Sequence, residues 1–173
     1  MSTRSLALAA ALLAAAPVAA LRAQTATPPA AAPPAAAKAP DYSGTWELDP
    51  AKSNFGPQPA PTRMVMRVRH AGTSLQIVAE ASSSAVGEQR DSVLYTLGGP
   101  AIAHEVANVG PSMTSAAVEG GKLVTKSVLQ TQGVEVPVNS RWTLAPGGKV
   151  LTVDREITTP MGAMTMQLVY NKK

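Results

Sequence analysis

Apolar and polar positions alternate along most of the chain after residue 40. Residues 62–70, Thr-Arg-Met-Val-Met-Arg-Val-Arg-His, place Met64, Met66 and Val68 on one face and Arg63, Arg67 and Arg69 on the other. A period of two is the signature of a half-buried strand. Ala71-Gly72 can turn the chain, and residues 73–81 follow with Leu75, Ile77 and Ala79 on one face. A two-residue loop at 71–72 would set Val68 against Leu75, Met66 against Ile77 and Arg63 against Glu80. Alternation is blind to shifts of two residues, so it fixes the faces and leaves the register open by two.

The C-terminal third repeats the pattern. Val136, Val138, Trp142 and Leu144 share a face within 136–145. Leu151, Val153 and Ile157 share one within 149–157. Met164, Met166, Leu168 and Tyr170 share one within 163–172. Pro146-Gly147-Gly148 and Thr158-Thr159-Pro160-Met161-Gly162 connect these three segments as an antiparallel meander. In the middle, 88–97 presents Val93, Tyr95 and Leu97, and 101–109 presents Ile102 and Val106 with His104 between them. Segments 112–119 and 122–131 flank a Gly120-Gly121 hairpin turn. With residues 42–48 this makes about ten predicted strands, and no segment carries an apolar stripe at helical spacing. The prediction is all-β, an antiparallel up-and-down β-barrel of about eight to ten strands, because closure removes exposed edges. A Greek-key sandwich is the alternative. A membrane-spanning barrel is rejected: Arg63, Arg67 and Arg69 would project into lipid at up to ~2–4 kcal/mol each near the midplane.

Two segments before this pattern do not read as folded domain. Residues 1–23 have Arg4, an apolar run from Leu6 to Ala20 broken by Pro17, and Ala23 before Gln24. That is the build of a cleaved secretory signal peptide; the run is too short and Ala-rich for a spanning helix of ~20 residues. The expected location is periplasmic or secreted, with no integral membrane span once the signal is removed. Residues 24–40 are almost entirely Ala, Pro and Thr and read as a disordered linker. The β-barrel domain is therefore placed at 41–173.

Composition then narrows the chemistry. The chain has no Cys, which excludes disulfides, thiolate catalysis and zinc–thiolate sites. Removing residues 1–23 takes away Arg4 and Arg22 and no acid, lowering the formal net charge from +4 to +2. Basicity therefore gives no ground for a nucleic-acid partner. No G-x-S-x-G elbow, H-E-x-x-H, P-loop or dinucleotide fingerprint occurs, so nothing points to an enzyme or a catalytic residue. Two His without Cys point to no metal, and no cofactor is expected.

The domain opens Asp41-Tyr42-Ser43-Gly44-Thr45-Trp46-Glu47-Leu48. Gly44-Thr45-Trp46 resembles the G-x-W first-strand motif of lipocalins and the wider calycin group. Arg141-Trp142-Thr143-Leu144 and Leu151-Thr152-Val153-Asp154-Arg155 fit the same lipocalin-like group, as does Asp49–Pro57, which is similar to a stretch of uncharacterised secreted bacterial proteins. The resemblance implies that Trp46 plugs one barrel end and packs on an Arg from a late strand, for which Arg155 is the best placed. It departs from lipocalins in lacking a helix after the last strand.

The candidate site follows from the inward faces. Met64, Met66, Met164 and Met166 are an adaptable apolar lining for an irregular ligand, or gap-filling core. Tyr95 and His104 add polar groups to that lining. His104 with Asp91 is the one His–carboxylate pair considered, and nothing in their spacing selects it. Arg155 shares a face with Leu151, Val153 and Ile157, so it must be paired, stacked or waiting for an acid. Trp46 and Trp142 are read as structural. Two functions stand: a lipocalin-like carrier binding a small apolar or amphipathic ligand in the barrel, or an envelope accessory protein with a filled barrel. Oligomeric state is not legible.

Overall fold

A computed structural model describes residues 40–84 and 87–173. The predicted signal peptide at 1–23 and the predicted linker at 24–40, Pro40 apart, lie outside them.

The described residues form ten strands: β1 (Gly44–Leu48), β2 (Arg63–Ala71), β3 (Ser74–Ser83), β4 (Gly87–Thr96), β5 (Ile102–Val106), β6 (Gly110–Glu119), β7 (Lys122–Thr131), β8 (Val134–Leu144), β9 (Val150–Thr159) and β10 (Gly162–Lys172). They make one antiparallel sheet in the order β4-β3-β2-β1-β10-β9-β8-β7-β6-β5. Every neighbour is sequential except β1 and β10, which join the two ends of the domain. The sheet curls into a nearly closed up-and-down barrel; its two edge strands, β4 and β5, meet without a backbone ladder. The sandwich alternative is thereby excluded.

Alternation placed the faces correctly, and the structure fixes the register. The β2–β3 turn is Gly72-Thr73, so Val68 pairs with Ile77, Met66 with Ala79 and Met64 with Ala81. Gly72 takes the turn's positive φ of 59°, which glycine adopts at no steric cost. The slide of two residues replaces the expected Arg63–Glu80 pair: Arg63 lies opposite Ser82, and Arg67 donates to Glu80 at 2.8 Å.

One half of the barrel is solid. Trp46, Tyr42, Leu75, Leu123, Leu151 and Trp142 fill the end where β1 begins. Trp46 is fully buried and donates its indole N–H to the Tyr42 carbonyl at 2.9 Å. The Tyr42 hydroxyl donates to the Trp142 carbonyl and accepts from the Leu123 amide. The Tyr42 and Trp142 rings meet edge to face at 6.3 Å, a preferred aromatic geometry.

The cation on Trp46 is Lys172, with Nζ 5.3 Å from the ring centroid. Register decides this. Lys172 pairs with Trp46, whereas Arg155 pairs with Met166, six residues back along β10 and so roughly 20 Å away at ~3.3 Å per residue. Gly44 makes the contact feasible: a Cβ there would lie 2.5 Å from Lys172 Cε. The glycine of the G-x-W motif thus clears a path for the cation.

Candidate functional site

Toward the other end the barrel opens into an internal cavity of about 320 Å³. Its floor is the upper surface of the plug, including Trp142, Val153 and Tyr170. Its walls carry Met64, Met66, Ile77 and Val138, apolar side chains brought inward by the alternation described above. The β1–β2 connection, residues 49–62, starts level with the cavity floor, where the Asp49 amide donates to the Val169 carbonyl, and ends toward the mouth, where the Thr62 amide donates to the Ser82 carbonyl. It lies along β10, exchanging backbone hydrogen bonds between Asn54 and Gln167, and Phe55 packs against the core.

Of the residues read from sequence as candidate ligand contacts, Met64, Met66, Tyr95, His104 and Arg155 line this cavity. Met164 and Met166 are half-buried and outside the lining. β1 ends opposite Tyr170, so at their level β10 is flanked by the 49–62 connection instead of a strand. Met166 and Arg155 also border a wider depression of about 630 Å³, walled largely by outward polar and charged groups such as Lys126, Arg141, Asp154 and Glu156. It lacks the apolar walls of the internal cavity.

Arg155 is half-buried and donates its Nε–H to Ser140 Oγ at 3.3 Å; no acid pairs with it among the described residues. Its charge acts on two cavity phenols. Burial pushes the Tyr170 hydroxyl up to about 12, and Arg155 pulls against that shift. Burial likewise raises Tyr95, while its hydrogen bond with Thr114 and the Arg155 charge lower it and Asp91 raises it.

Stability should therefore fall in alkali. A phenol raised in the native state keeps its full contribution below the unfolded value of about 10. The contribution is lost as pH rises through the native value of about 12. The two-unit difference is worth about 2–3 kcal/mol. Urea midpoints between pH 9 and 11.5, read beside tyrosinate absorbance, should drop as unfolded tyrosines ionise first. Native ionisation of Tyr170 near pH 10 would contradict this.

Across the β4–β5 seam, His104 Nε2 meets Asp91 Oδ1 at 2.8 Å. This is the pair that the sequence offered and could not select. Tyr95 and Thr114 hydroxyls meet at 3.1 Å, and the Gly98 amide donates to the Ala116 carbonyl at 2.8 Å. These contacts hold the seam where a ladder is missing. Among the described residues no group of three or more His, Asp or Glu could hold a metal ion. No helix among them is long and apolar enough to cross a membrane.

No protein-family model matches the sequence, and no curated protein matches it. Solved structures do resemble the fold. A secretory abundant heat soluble protein from Ramazzottius varieornatus aligns at TM-score 0.55 and 13% identity, over 76% of this chain and 94% of that one. Zebrafish ileal bile acid-binding protein complexed with cholic acid aligns at 0.54 and 13%, over 76% and 98%. The fluorescent protein UnaG aligns at 0.55 and 14%, over 76% and 96%. The fold is therefore that of a calycin-type, lipocalin-like barrel.

Proposed function

We propose that this chain is an exported binding protein whose barrel takes up a small apolar molecule with an acidic group. The observation that carries this reading is Arg155: a cation without an acidic partner among the described residues, bordering a cavity of about 320 Å³ whose walls include Met64, Met66, Ile77 and Val138. A guanidinium in such a place favours a carboxylate, because its planar fork offers paired donors to two oxygens. Met64 and Met66 adapt to an irregular apolar body, since thioether chains have soft, rotatable shapes. The cholic acid complex of the zebrafish neighbour supports a ligand of this type on this fold. The alternative, a filled barrel working through its outer surface, suits the plugged half and leaves the cavity without a role.

Export rests on residues 1–23, and places the protein in the periplasm or outside the cell. The mature chain should begin at Gln24, as N-terminal sequencing of protein from its native source would establish; an intact Met1 in a membrane pellet would refute it. Titration of a fluorescent fatty-acid probe into the domain tests the binding itself, with saturation at one site expected.

A further inference from the structure

The cavity holds two fixed charges of opposite sign. Arg155 on β9 shares a face with Val153 and Ile157, and Asp91 on β4 shares one with Val93 and Tyr95. The alternation that turns the apolar walls inward therefore turns both charges inward as well. No other Lys, Arg, Asp or Glu lines the cavity among the described residues. The order of the sheet sets the two apart. Counted round the ring in either direction, with the β4–β5 seam as one step, β4 lies five strands from β9, on the far wall of a ten-stranded barrel. No ion pair joins Arg155 to any acid among the described residues.

Each charge keeps an open side. The Nε–H of Arg155 goes to Ser140, and its two NH2 groups find no acceptor among the described residues. Asp91 Oδ1 accepts from His104 Nε2 at 2.8 Å and from the Ser92 amide at 3.0 Å, while Oδ2 receives no donor among them. Both charges reach the Tyr95 phenol: burial raises it most and the Thr114 hydrogen bond lowers it, and beyond these Asp91 raises it and Arg155 lowers it. The wall of β6 and β7 carries the hydroxyls of Ser112, Thr114, Thr125 and Ser127. Hydroxyls rotate and serve donors and acceptors alike. Thr125 accepts from the Trp142 indole and Ser140 from Arg155, and each keeps a proton to give. This hydroxyl wall suits either kind of group, so selection falls to the two charges.

We infer that the cavity takes an amphoteric molecule, with a carboxylate at Arg155, an ammonium at Asp91 and an apolar body between them against Met64, Met66 and Ile77. This rests on the binding reading above and deepens it. An acid alone satisfies Arg155 but sets a second negative charge in the same low-dielectric space as Asp91. A molecule that carries both charges meets each wall with its opposite. An ammonium drawn into an apolar-walled cavity without a partner loses its hydration uncompensated, so an amine that strengthens binding reports a carboxylate facing it.

The test compares ω-aminohexanoate, ω-aminooctanoate and ω-aminodecanoate with the matching plain acids, by displacement of a fluorescent fatty-acid probe from the wild-type protein. It is run at about pH 8, where an ordinary imidazole is neutral and an alkyl ammonium is charged. The amino acid of best length should bind about tenfold more tightly than its plain acid, the equivalent of one charged hydrogen bond that outlasts desolvation. Asp91→Asn keeps an oxygen for the His104 ring proton and removes the charge. In that variant the amino acid should lose about tenfold, while the plain acid binds as tightly as before or more so. Equal weakening of both would mark Asp91 as a support of the seam alone and overturn the inference. The wild-type comparison stands even where the variant does not fold. Plain acids bound as tightly as every amino acid overturn the inference and leave the binding function standing. Failure of the probe and of all these acids to bind removes the binding function, and this inference with it.

Discussion

Trp46→Ala should lower the stability of the domain by about 3–5 kcal/mol, the range for truncating a large buried aromatic. That is a large part of the ~5–15 kcal/mol typical of a domain. Three losses coincide there. The indole leaves a void beside Tyr42 and the rest of the plug; the Tyr42 carbonyl loses the indole N–H; and Lys172 loses the ring beneath its ammonium. The last contact is the smallest, at about 0.5–2 kcal/mol. Urea titration decides the matter. A change below about 1 kcal/mol would remove Trp46 from the group of core residues whose truncation leaves a cavity.

Arg155→Met should weaken binding of an acidic fluorescent probe by about 10- to 100-fold, the equivalent of ~1.5–3 kcal/mol for a hydrogen bond to a charged group. The exchange keeps a long, flexible side chain in the cavity wall while removing the charge. Ser140 stays solvated or satisfied more easily than a buried amide would, because a hydroxyl can rotate. The variant should therefore retain its native circular dichroism. Weaker binding by a folded variant assigns the anchor to Arg155. Saturable binding of unchanged affinity would take that role from Arg155 and leave the cavity as a site for apolar bodies alone.

Much of the fold was legible because strand alternation is a local property. Met64, Met66 and Val68, or Leu151 and Val153, declare their face within a few residues. What alternation lacks is any sense of level. The slide that put Arg67 against Glu80 moves the pairing by two and keeps every face. The same blindness misassigned the cation of Trp46: Lys172 and Arg155 both lie on late strands, and only the β1–β10 register, a pairing of the two ends of the domain, tells which stands level with the ring. The Asp91–His104 contact was harder still. β4 and β5 are not paired, so their juxtaposition depends on how the sheet curls round, a property of all ten strands together. The hydroxyl wall left a fainter trace, as Ser112, Thr114, Thr125 and Ser127 occupy inward positions where a filled core would carry aliphatic groups.

The joining of β1 to β10 has a practical corollary. Gly44 and Lys172 both lie at the plugged end, and the Lys173 amide donates to the Thr45 carbonyl at 2.9 Å. Either terminus of the domain thus leaves the barrel on the side away from the cavity mouth. A reporter fused after Lys173, or a sensor surface coupled to an extension before Asp41, would hold the protein by its sealed base with the opening free. Truncation is the opposite case. Residues that would be trimmed as dispensable tails in many domains are here the fastening of the ring.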